Sequence, residues 1–186
     1  MNDDYVACYS ITSTTLTTKH EVYLNDIGRP EEFRGLLCIL NNAVEGDLID
    51  IFINSCGGDI YAGMQIINAI ESCKGHVQTI LDGECSSMGG FIFLVGHSMR
   101  ITEHSFLMLH NFTMGMVGKG GEVINCHANL MNIINKLTET YASKILSEAE
   151  ISSMLKGEDL YFNAEEVSTR LTAYMEQLNK EEELPL

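Results

Sequence analysis

Three stretches of the sequence carry residues whose types suit acyl transfer. Ser87 stands in GECSSMGGFIF directly ahead of an apolar run, while His110 and the glycine pair at 57–58 each follow an apolar stretch. A serine hydroxyl becomes a good nucleophile only when an imidazole takes its proton, and a carboxylate best holds that imidazole in the right tautomer. The oxyanion then needs backbone N–H donors, which Met88 and the glycine pair could supply, because glycine lets a carbonyl approach closely.

These residues also have ordinary structural explanations. A serine ahead of a buried helix most often caps that helix, Gly89 and Gly90 could serve close helix packing, and His110 could be a core histidine. Spacing alone does not choose the base or its carboxylate, because other candidates for both remain. The other histidines are His20, His76, His97, His104 and His127, and the candidate aspartates are Asp26, Asp47, Asp50, Asp59 and Asp82.

The elements that must position these residues follow the pattern of a parallel α/β sheet. LIDIFIN (48–54) predicts a strand, IYAGMQIINAIESC predicts a helix from its apolar spacing, and 77–82 predicts a second strand. A buried helix, SSMGGFIFLVG, and a third strand at 106–110 follow. This alternation predicts parallel strands with right-handed crossovers, and reactive groups gather where such strands end.

Patterns on either side of this unit predict a further strand and more helices. HEVYLND predicts a strand and GRPEEFRGLLCILNNA a helix. The glycine-rich NFTMGMVGKGG indicates a hairpin or loop. The segment 122–146 then predicts one long helix whose apolar stripe needs covering, and we expect it to project toward a partner.

Two capping patterns predict where the last helices begin. SEAE at 147–150 has the form of a capping box, Gly157 can end that helix, and NAEE at 163–166 can cap the final one. We expect three parts in the chain: an amino-terminal arm (1–20), a single domain (21–178) and an acidic carboxy-terminal tail (179–186).

Composition narrows the classes of function. The net charge of −15, from 26 acidic and 11 basic residues, disfavours nucleic acid as a partner, because binding phosphates needs clustered Lys and Arg. The six cysteines form no C-x-x-C pair and have no zinc-ligand spacing, which indicates reduced thiols and no metal site. Because we find no signal peptide and no apolar run of membrane length, we expect a cytoplasmic protein without a membrane segment. No cofactor motif is present.

Four segments carry a resemblance to the proteolytic subunit of the ATP-dependent Clp protease. They agree with that family in order and spacing over residues 20–167, and they are INSCGGDIYAGMQIINAI, GECSSMGGFIFLVG, FLMLHNF and EDLYFNAEEV. The resemblance implies a serine endopeptidase with an α/β fold of the Clp protease and crotonase type. That fold is a spiral of βαβ units with a projecting long "handle" helix, here 122–146.

The resemblance also implies roles for individual residues. The family's nucleophilic serine, which precedes Met-Gly, falls on Ser87, and its general-base histidine, at a strand end, falls on His110. Its aspartate stands a few residues before an Asn-Ala-Glu-Glu stretch and falls on Asp159. The oxyanion donors fall on the backbone of Gly58 and Met88.

An assembly and partners follow from the same resemblance. The family forms two stacked heptameric rings, interlocked by the handle, around a closed chamber. A hexameric AAA+ ATPase feeds unfolded polypeptide chains into that chamber, so confinement rather than a side-chain pocket would limit which proteins are cut. The segment 115–121 would line the substrate path, where an extended peptide can add as a strand.

The chain departs from the family pattern in four places, one of which is the ending STRLTAYMEQLNKEEELPL in place of the usual Gly-Leu-Ile/Val-Asp. Cys56 stands where the family has proline before the two glycines. Gly157-Glu158 replaces an Asp-Arg pair that links the rings by ion pairing, so we expect less secure ring stacking. The amino-terminal region is shorter than usual and lacks the segment that helps dock the ATPase.

Three alternative functions remain open. A viral-type protease of the same fold would process capsid or scaffold proteins without an ATPase. A crotonase-type enzyme would hold an acyl-CoA thioester enolate with paired backbone N–H donors and would need no Ser-His-Asp set. An inactive ring subunit would assemble with an active homologue through the handle, although all three triad positions are filled here.

Overall fold

Six strands form one mixed sheet in the part of the chain that the structure describes. The computed structural model describes residues 17–182, so most of the expected amino-terminal arm (1–20) and the end of the expected tail (179–186) lie outside the described residues. The strands are β1 (Lys19–Leu24), β2 (Leu48–Ser55), β3 (His76–Ser86), β4 (Ser98–Ile101), β5 (Phe106–Leu109) and β6 (Leu160–Asn163). The helices are α1 (Arg34–Asn42), α2 (Ile60–Ser72), α3 (Met88–Val95), α4 (Gly120–Thr140), α5 (Glu148–Leu155) and α6 (Ala164–Glu182), with 3-10 turns at Pro30–Phe33 and Ala142–Lys144.

β3 is the central strand of the sheet. β2 lies along one of its edges, while β4 pairs with residues 78–81 and β5 with residues 84–86 along the other. β1 extends the sheet beyond β2, and β6 extends it beyond β5. All the pairs are parallel except β5 with β6, which is antiparallel. The expected α/β fold is confirmed, and the antiparallel last strand is an addition to it.

The core lies between the sheet and the helices. Ile49, Ile51 and Ile53 of β2 have no exposed surface, and all eight residues of α3 are buried. A helix that is apolar on every side lies inside a protein rather than at its surface. None of the helices described here is both long enough and apolar enough to cross a membrane.

The strands that lead to Ser87 and His110 end at other residues than predicted. The strand expected at 77–82 continues to Ser86, because residues 84–86 find a second partner in β5. The strand expected at 106–110 ends at Leu109, so His110 follows it directly. The short strand β4 was not predicted, since its four residues are only half-buried and show no clear alternation.

The long-helix prediction needs a shift of its boundaries. The expected helix 122–146 is α4, Gly120–Thr140, followed by a separate 3-10 turn. The loop expected at 111–121 is correspondingly shorter, because its last two glycines already belong to α4. The carboxyl-terminal half of α4 contributes buried residues, whereas Ile124 in its amino-terminal half is 68% exposed.

Both predicted capping patterns are confirmed, and an ion pair joins the two helices that they begin. Ser147 and Glu150 form a capping box at α5, and Asn163 and Glu166 exchange hydrogen bonds at the start of α6. Arg170 of α6 donates two hydrogen bonds to the Glu150 carboxylate, at 2.8 and 2.9 Å. This bidentate pair fastens α5 to α6 and so restrains the segment that connects them.

Replacing Glu150 by Gln is expected to loosen this fastening in a pH-dependent way. Hydrogen bonding from Arg170 lowers the pKa of Glu150 to about 2. The pKa of a glutamate in the unfolded chain is about 4.3, so the pair stabilises the fold fully when the pH is above that value. This stabilisation is lost as the pH falls from about 4.3 toward 2. We expect Glu150→Gln to lower the free energy of unfolding by about 1–3 kcal/mol at pH 7, and by less at pH 3, in urea titrations.

Glu148→Gln is the matched control, because Glu148 is an exposed acid of the same first turn. It should change the free energy of unfolding little at either pH. A Glu150→Gln loss of equal size at pH 7 and pH 3 would contradict the account.

Candidate active site

The antiparallel pairing of β5 with β6 brings His110 next to Asp159. The last pair of this ladder is Leu109 with Leu160, so His110 and Asp159 occupy the next opposing positions beyond it. The His110 Nδ1 atom lies 3.8 Å from the Asp159 Oδ1 atom, which is an ion-pair distance and longer than a hydrogen bond. The side chain of His110 is 23% exposed and that of Asp159 is 55% exposed, so the pair is reachable from solvent.

The parallel pairing of β3 with β5 brings Ser87 to the same place. Ser86 pairs with Met108, and the Ser87 N–H donates to the Met108 carbonyl oxygen at 2.9 Å. The Ser87 Oγ atom lies 2.7 Å from the His110 Nε2 atom, a hydrogen-bond distance. The three residues thus lie in one row, with a hydrogen bond between Ser87 and His110 and a longer contact between His110 and Asp159.

Ser87 has an unusual backbone conformation. Its φ of 56° and ψ of −123° make it the one residue other than glycine with a positive φ within 17–182. Such conformations cost about 1–3 kcal/mol and persist only where the surrounding structure supports them. Its side chain makes no capping hydrogen bond to α3 and contacts His110 instead, so the helix-cap explanation is wrong. The sharp turn from β3 into α3 has the form of a nucleophile elbow.

Gly89 and Gly90 do serve close packing. A Cβ atom on Gly89 would lie 3.2 Å from Ser55, and one on Gly90 would lie 2.9 Å from the Leu109 side chain. The packing explanation is therefore correct for this pair. The absence of side chains on these two glycines lets the first turn of α3 lie directly against β2 and β5. The neighbouring site residues follow these two strands in the chain.

The glycine pair at 57–58 forms a tight loop beside Ser87. Ile27 holds this loop, because its N–H donates to the Gly57 carbonyl oxygen at 2.9 Å and its own carbonyl accepts from Asp59 at 2.7 Å. Both glycines have positive φ, 97° and 146°, and a Cβ on Gly58 would lie 2.0 Å from the Ile27 oxygen. Only glycine fits here without moving the backbone.

Two backbone donors lie free beside the serine. Within the described residues, neither the Gly58 N–H nor the Met88 N–H donates a hydrogen bond to another group of the chain. Both residues line the same small cavity as Ser87 and His110. Unpaired N–H groups beside a serine hydroxyl have the arrangement that could bind an oxyanion.

That cavity has a volume of about 180 Å³ and is mostly apolar. Its other walls are formed by Ile60, Phe91, Phe112, Thr113 and Ile134. The ring of His127 contacts that of Phe112, with 5.6 Å between the ring centroids. A space of this size can take one apolar side chain of a bound ligand next to the serine.

The competing histidines have other surroundings. His76 shares a hydrogen bond with the Ser98 hydroxyl at 2.8 Å, and the Nδ1 atom of His97 accepts the Val77 N–H at 3.1 Å. In the part of the chain that the structure describes, His110 alone reaches the Ser87 hydroxyl. The spacing of residues in the sequence does not indicate which histidine contacts Ser87, because that contact depends on which strands are neighbours in the sheet.

The competing aspartates mostly bind backbone or surface groups. Asp47 accepts the N–H groups of Thr18 and Val44, and these bonds lower the pKa of its carboxyl. Asp59 caps α2, and Asp50 pairs with Lys19 at 3.0 Å. No group of three His, Cys, Asp or Glu within 17–182 has the arrangement to hold a metal ion.

Comparison with known proteins identifies the family of the chain. The model of the Clp protease family matches residues 9–170. The chain belongs to the Clp protease family. Its α/β fold with the long helix α4 is that of the family.

Curated relatives with the same family name are 28–30% identical to this chain over the aligned residues. The "ATP-dependent Clp protease proteolytic subunit 1" of Chlamydia felis is 29% identical over 133 residues, which cover 67% of this chain and 65% of that protein. The "ATP-dependent Clp protease proteolytic subunit" of Physcomitrium patens is 28% identical over 138 residues, 73% of this chain and 69% of that one. The "ATP-dependent Clp protease proteolytic subunit 2" of Chlamydia pneumoniae is 30% identical over 127 residues, which cover 63% of this chain and 59% of that protein. The chain thus matches 65% of the length of the first of these relatives.

The relatives' names do not favour a viral maturation protease or an acyl-CoA enzyme.

Two of this Clp-family chain's departures from the family pattern have local partners. The Cys56 thiol donates to Asp26 Oδ1 at 3.3 Å, and this hydrogen bond raises the pKa of the thiol. Cys56 is therefore less reactive than an ordinary exposed cysteine. Glu158, in the pair that replaces Asp-Arg, accepts a hydrogen bond from the Ser153 hydroxyl within its own chain.

Gly57→Ala is expected to disable the serine without unfolding the protein. A Cβ on Gly57 would lie 2.6 Å from the Ser87 Cβ atom, so the serine turn or the glycine loop must shift, which disturbs the contact of Ser87 with His110. We expect the rate of reaction of Ser87 with a fluorophosphonate to fall roughly 10- to 100-fold. Gly35→Ala is the control, because nothing lies within 4 Å of that added methyl group. An unchanged labelling rate in folded Gly57→Ala would show that the loop does not constrain Ser87.

Proposed function

We propose that the chain is a serine endopeptidase in which Ser87 is the nucleophile and His110 the general base. The observation that carries the proposal is the 2.7 Å separation between the Ser87 Oγ and His110 Nε2 atoms, at a strained strand-to-helix turn. A hydroxyl at this distance can pass its proton directly to the imidazole. Membership of the Clp protease family supports the same reaction.

The reaction has two halves that use the same groups. Ser87 Oγ attacks the peptide carbonyl carbon as His110 Nε2 takes its proton, and the carbonyl oxygen becomes an oxyanion that accepts from the Gly58 and Met88 N–H groups. His110 returns the proton to the leaving amine, and the C–N bond breaks to leave an ester on Ser87. Water then gives a proton to His110 and attacks the ester. The carboxylic acid product leaves, and the proton returns to Ser87.

Asp159 is proposed to orient the imidazole. Its carboxylate faces the Nδ1 atom of His110, so it favours the tautomer with the proton on Nδ1 and stabilises the imidazolium that forms. The 3.8 Å separation must shorten by about 1 Å for a hydrogen bond, and catalytic hydrogen bonds commonly tighten when substrate binds.

The substrates proposed are unfolded polypeptides. The apolar cavity of about 180 Å³ beside Ser87 suits a medium-sized apolar side chain at the residue whose carbonyl is attacked. The glycine-rich segment 115–121 is exposed and closely follows Thr113, which lines the cavity, so an extended peptide could pair with its backbone. Recognition through backbone pairing and one small pocket selects for extended chain rather than for one sequence.

We further propose that the chain works as a ring assembly in the cytoplasm. Met116 and Ile124 line one apolar surface near the start of α4, and the described residues leave both side chains exposed. Stacked heptameric rings joined through α4 would cover it, and a AAA+ ATPase would supply unfolded substrate. The described cysteines are all free, which fits a reducing compartment.

Labelling by a fluorophosphonate tests the nucleophile. The reagent forms a phosphonyl ester only with an activated serine, so wild-type protein should be labelled at Ser87, as read by mass spectrometry of the peptides. Ser87→Ala should not react. Ser86→Ala is the matched control, because Ser86 is the buried neighbour whose hydroxyl donates to Glu84, and it should still be labelled.

Two results would contradict the proposed nucleophile. Labelling that persists in Ser87→Ala would assign activity to another residue. Folded wild-type protein that neither reacts with the reagent nor hydrolyses unfolded casein would remove the peptidase proposal altogether.

A charge on α4 tests the assembly. We expect Ile124→Glu to shift the protein to smaller species in size-exclusion chromatography with light scattering, because a carboxylate would be buried in the proposed ring interface. Asn125→Glu adds the same charge at the adjacent exposed position, outside the apolar patch, and should keep the wild-type mass. Equal masses for wild type and Ile124→Glu would exclude this face of α4 from the interface.

A further inference from the structure

The side chain of Asn111 connects the histidine-bearing strand end to a distant helix. Its Oδ1 atom accepts the Phe112 N–H at 2.8 Å, and its Nδ2 atom donates to the Leu155 carbonyl oxygen at 2.9 Å. Because the oxygen is used by Phe112, the amide presents its NH₂ group to Leu155. The Met131 sulfur of α4 lies 3.9 Å from the same nitrogen, so the amide is enclosed by three parts of the fold.

Leu155 is the last residue of α5, and only three residues separate it from Asp159. Carbonyl groups in the last turn of a helix have no partner within the helix, and Asn111 supplies one here. The connection therefore fixes the point at which the chain leaves α5 and begins its short path to the aspartate.

The aspartate itself has little else to hold it. Its side chain is 55% exposed, and within 17–182 its one recorded side-chain interaction is the 3.8 Å contact with His110. Its place is consequently set by the backbone on either side. After it, Leu160 is held by the β5–β6 ladder, and before it the chain is held at Leu155 by Asn111.

We infer that Asn111 is a positioning residue for the catalytic pair. Both tethers around Asp159 start from the same strand end, one from Leu109 and one from Asn111, which are the residues on either side of His110. The base and the carboxylate therefore move together. This inference rests on the proposed peptidase activity and adds to it the residue that sets the distance between His110 and Asp159.

A double-mutant cycle with Asp159 separates positioning from general support of the fold. Asn111→Ala should lower kcat for a short fluorogenic peptide roughly 10-fold, with KM changed less than about 2-fold, because the pocket remains while the carboxylate drifts. In an Asp159→Asn background, adding Asn111→Ala should lower kcat by less than about 2-fold, because there is no carboxylate left to position. Fluorophosphonate labelling rates at Ser87 should follow the same pattern.

Asn42→Ala is the matched control. The Asn42 amide also donates to a backbone carbonyl of a helix, that of Cys38 at 2.8 Å, but in α1, and its loss should leave kcat and KM unchanged. If Asn111→Ala does not fold, Asn111→Leu removes the same donor and keeps nearly the same shape. The cycle is then run with that variant.

The outcomes distinguish the two claims. Equal kcat losses from the Asn111 substitution in both backgrounds, with an active wild type, would overturn the positioning role and leave the peptidase standing. A wild type and an Asn42→Ala variant that neither label at Ser87 nor hydrolyse the peptide would overturn the peptidase, and the positioning role with it.

Discussion

The hydrogen-bonded pairing of β3, β5 and β6 is the constraint on which the site depends. β5 lies between the other two strands and ends at Leu109, so its neighbours are aligned by the register of two ladders. One ladder delivers Ser87 and the other delivers Asp159 to the residue that follows β5, His110. Backbone hydrogen bonds between the strands hold these side chains from three distant parts of the chain together. The pairing cannot slip by one residue, because such a slip would turn every side chain of the strand to the opposite face of the sheet.

Close backbone approach is the second requirement, and it explains the small residues around the serine. The strained turn at Ser87 persists because the glycine loop lies against it and α3 packs directly behind it. A methyl group at Gly57, Gly58 or Gly90 would meet a neighbouring atom at less than 3 Å. The same absence of side chains leaves two backbone N–H groups open to the cavity, so the packing that supports the strain also creates the donors.

The outer helices restrain the acidic side of the site less firmly than the ladders restrain the serine side. The pair of Arg170 with Glu150 fastens α5 to α6, and Asn111 fastens the end of α5 to the site. The aspartate between them remains exposed and beyond hydrogen-bond distance. In the amino-terminal half of α4, the side chain of Ile124 is exposed. The proposed ring assembly would cover Ile124.

The sequence by itself determined the α/β alternation, both capping boxes and the small residues ahead of α3, because these depend on spacings of a few residues. It could not extend β3 to Ser86 or end α4 at Thr140, since those limits depend on partners elsewhere in the chain. From spacing, His110 was one histidine among six, and only the family resemblance singled it out. Tertiary structure decided that it is the one facing Ser87, because strand order and register, rather than local pattern, determine which distant residues become neighbours.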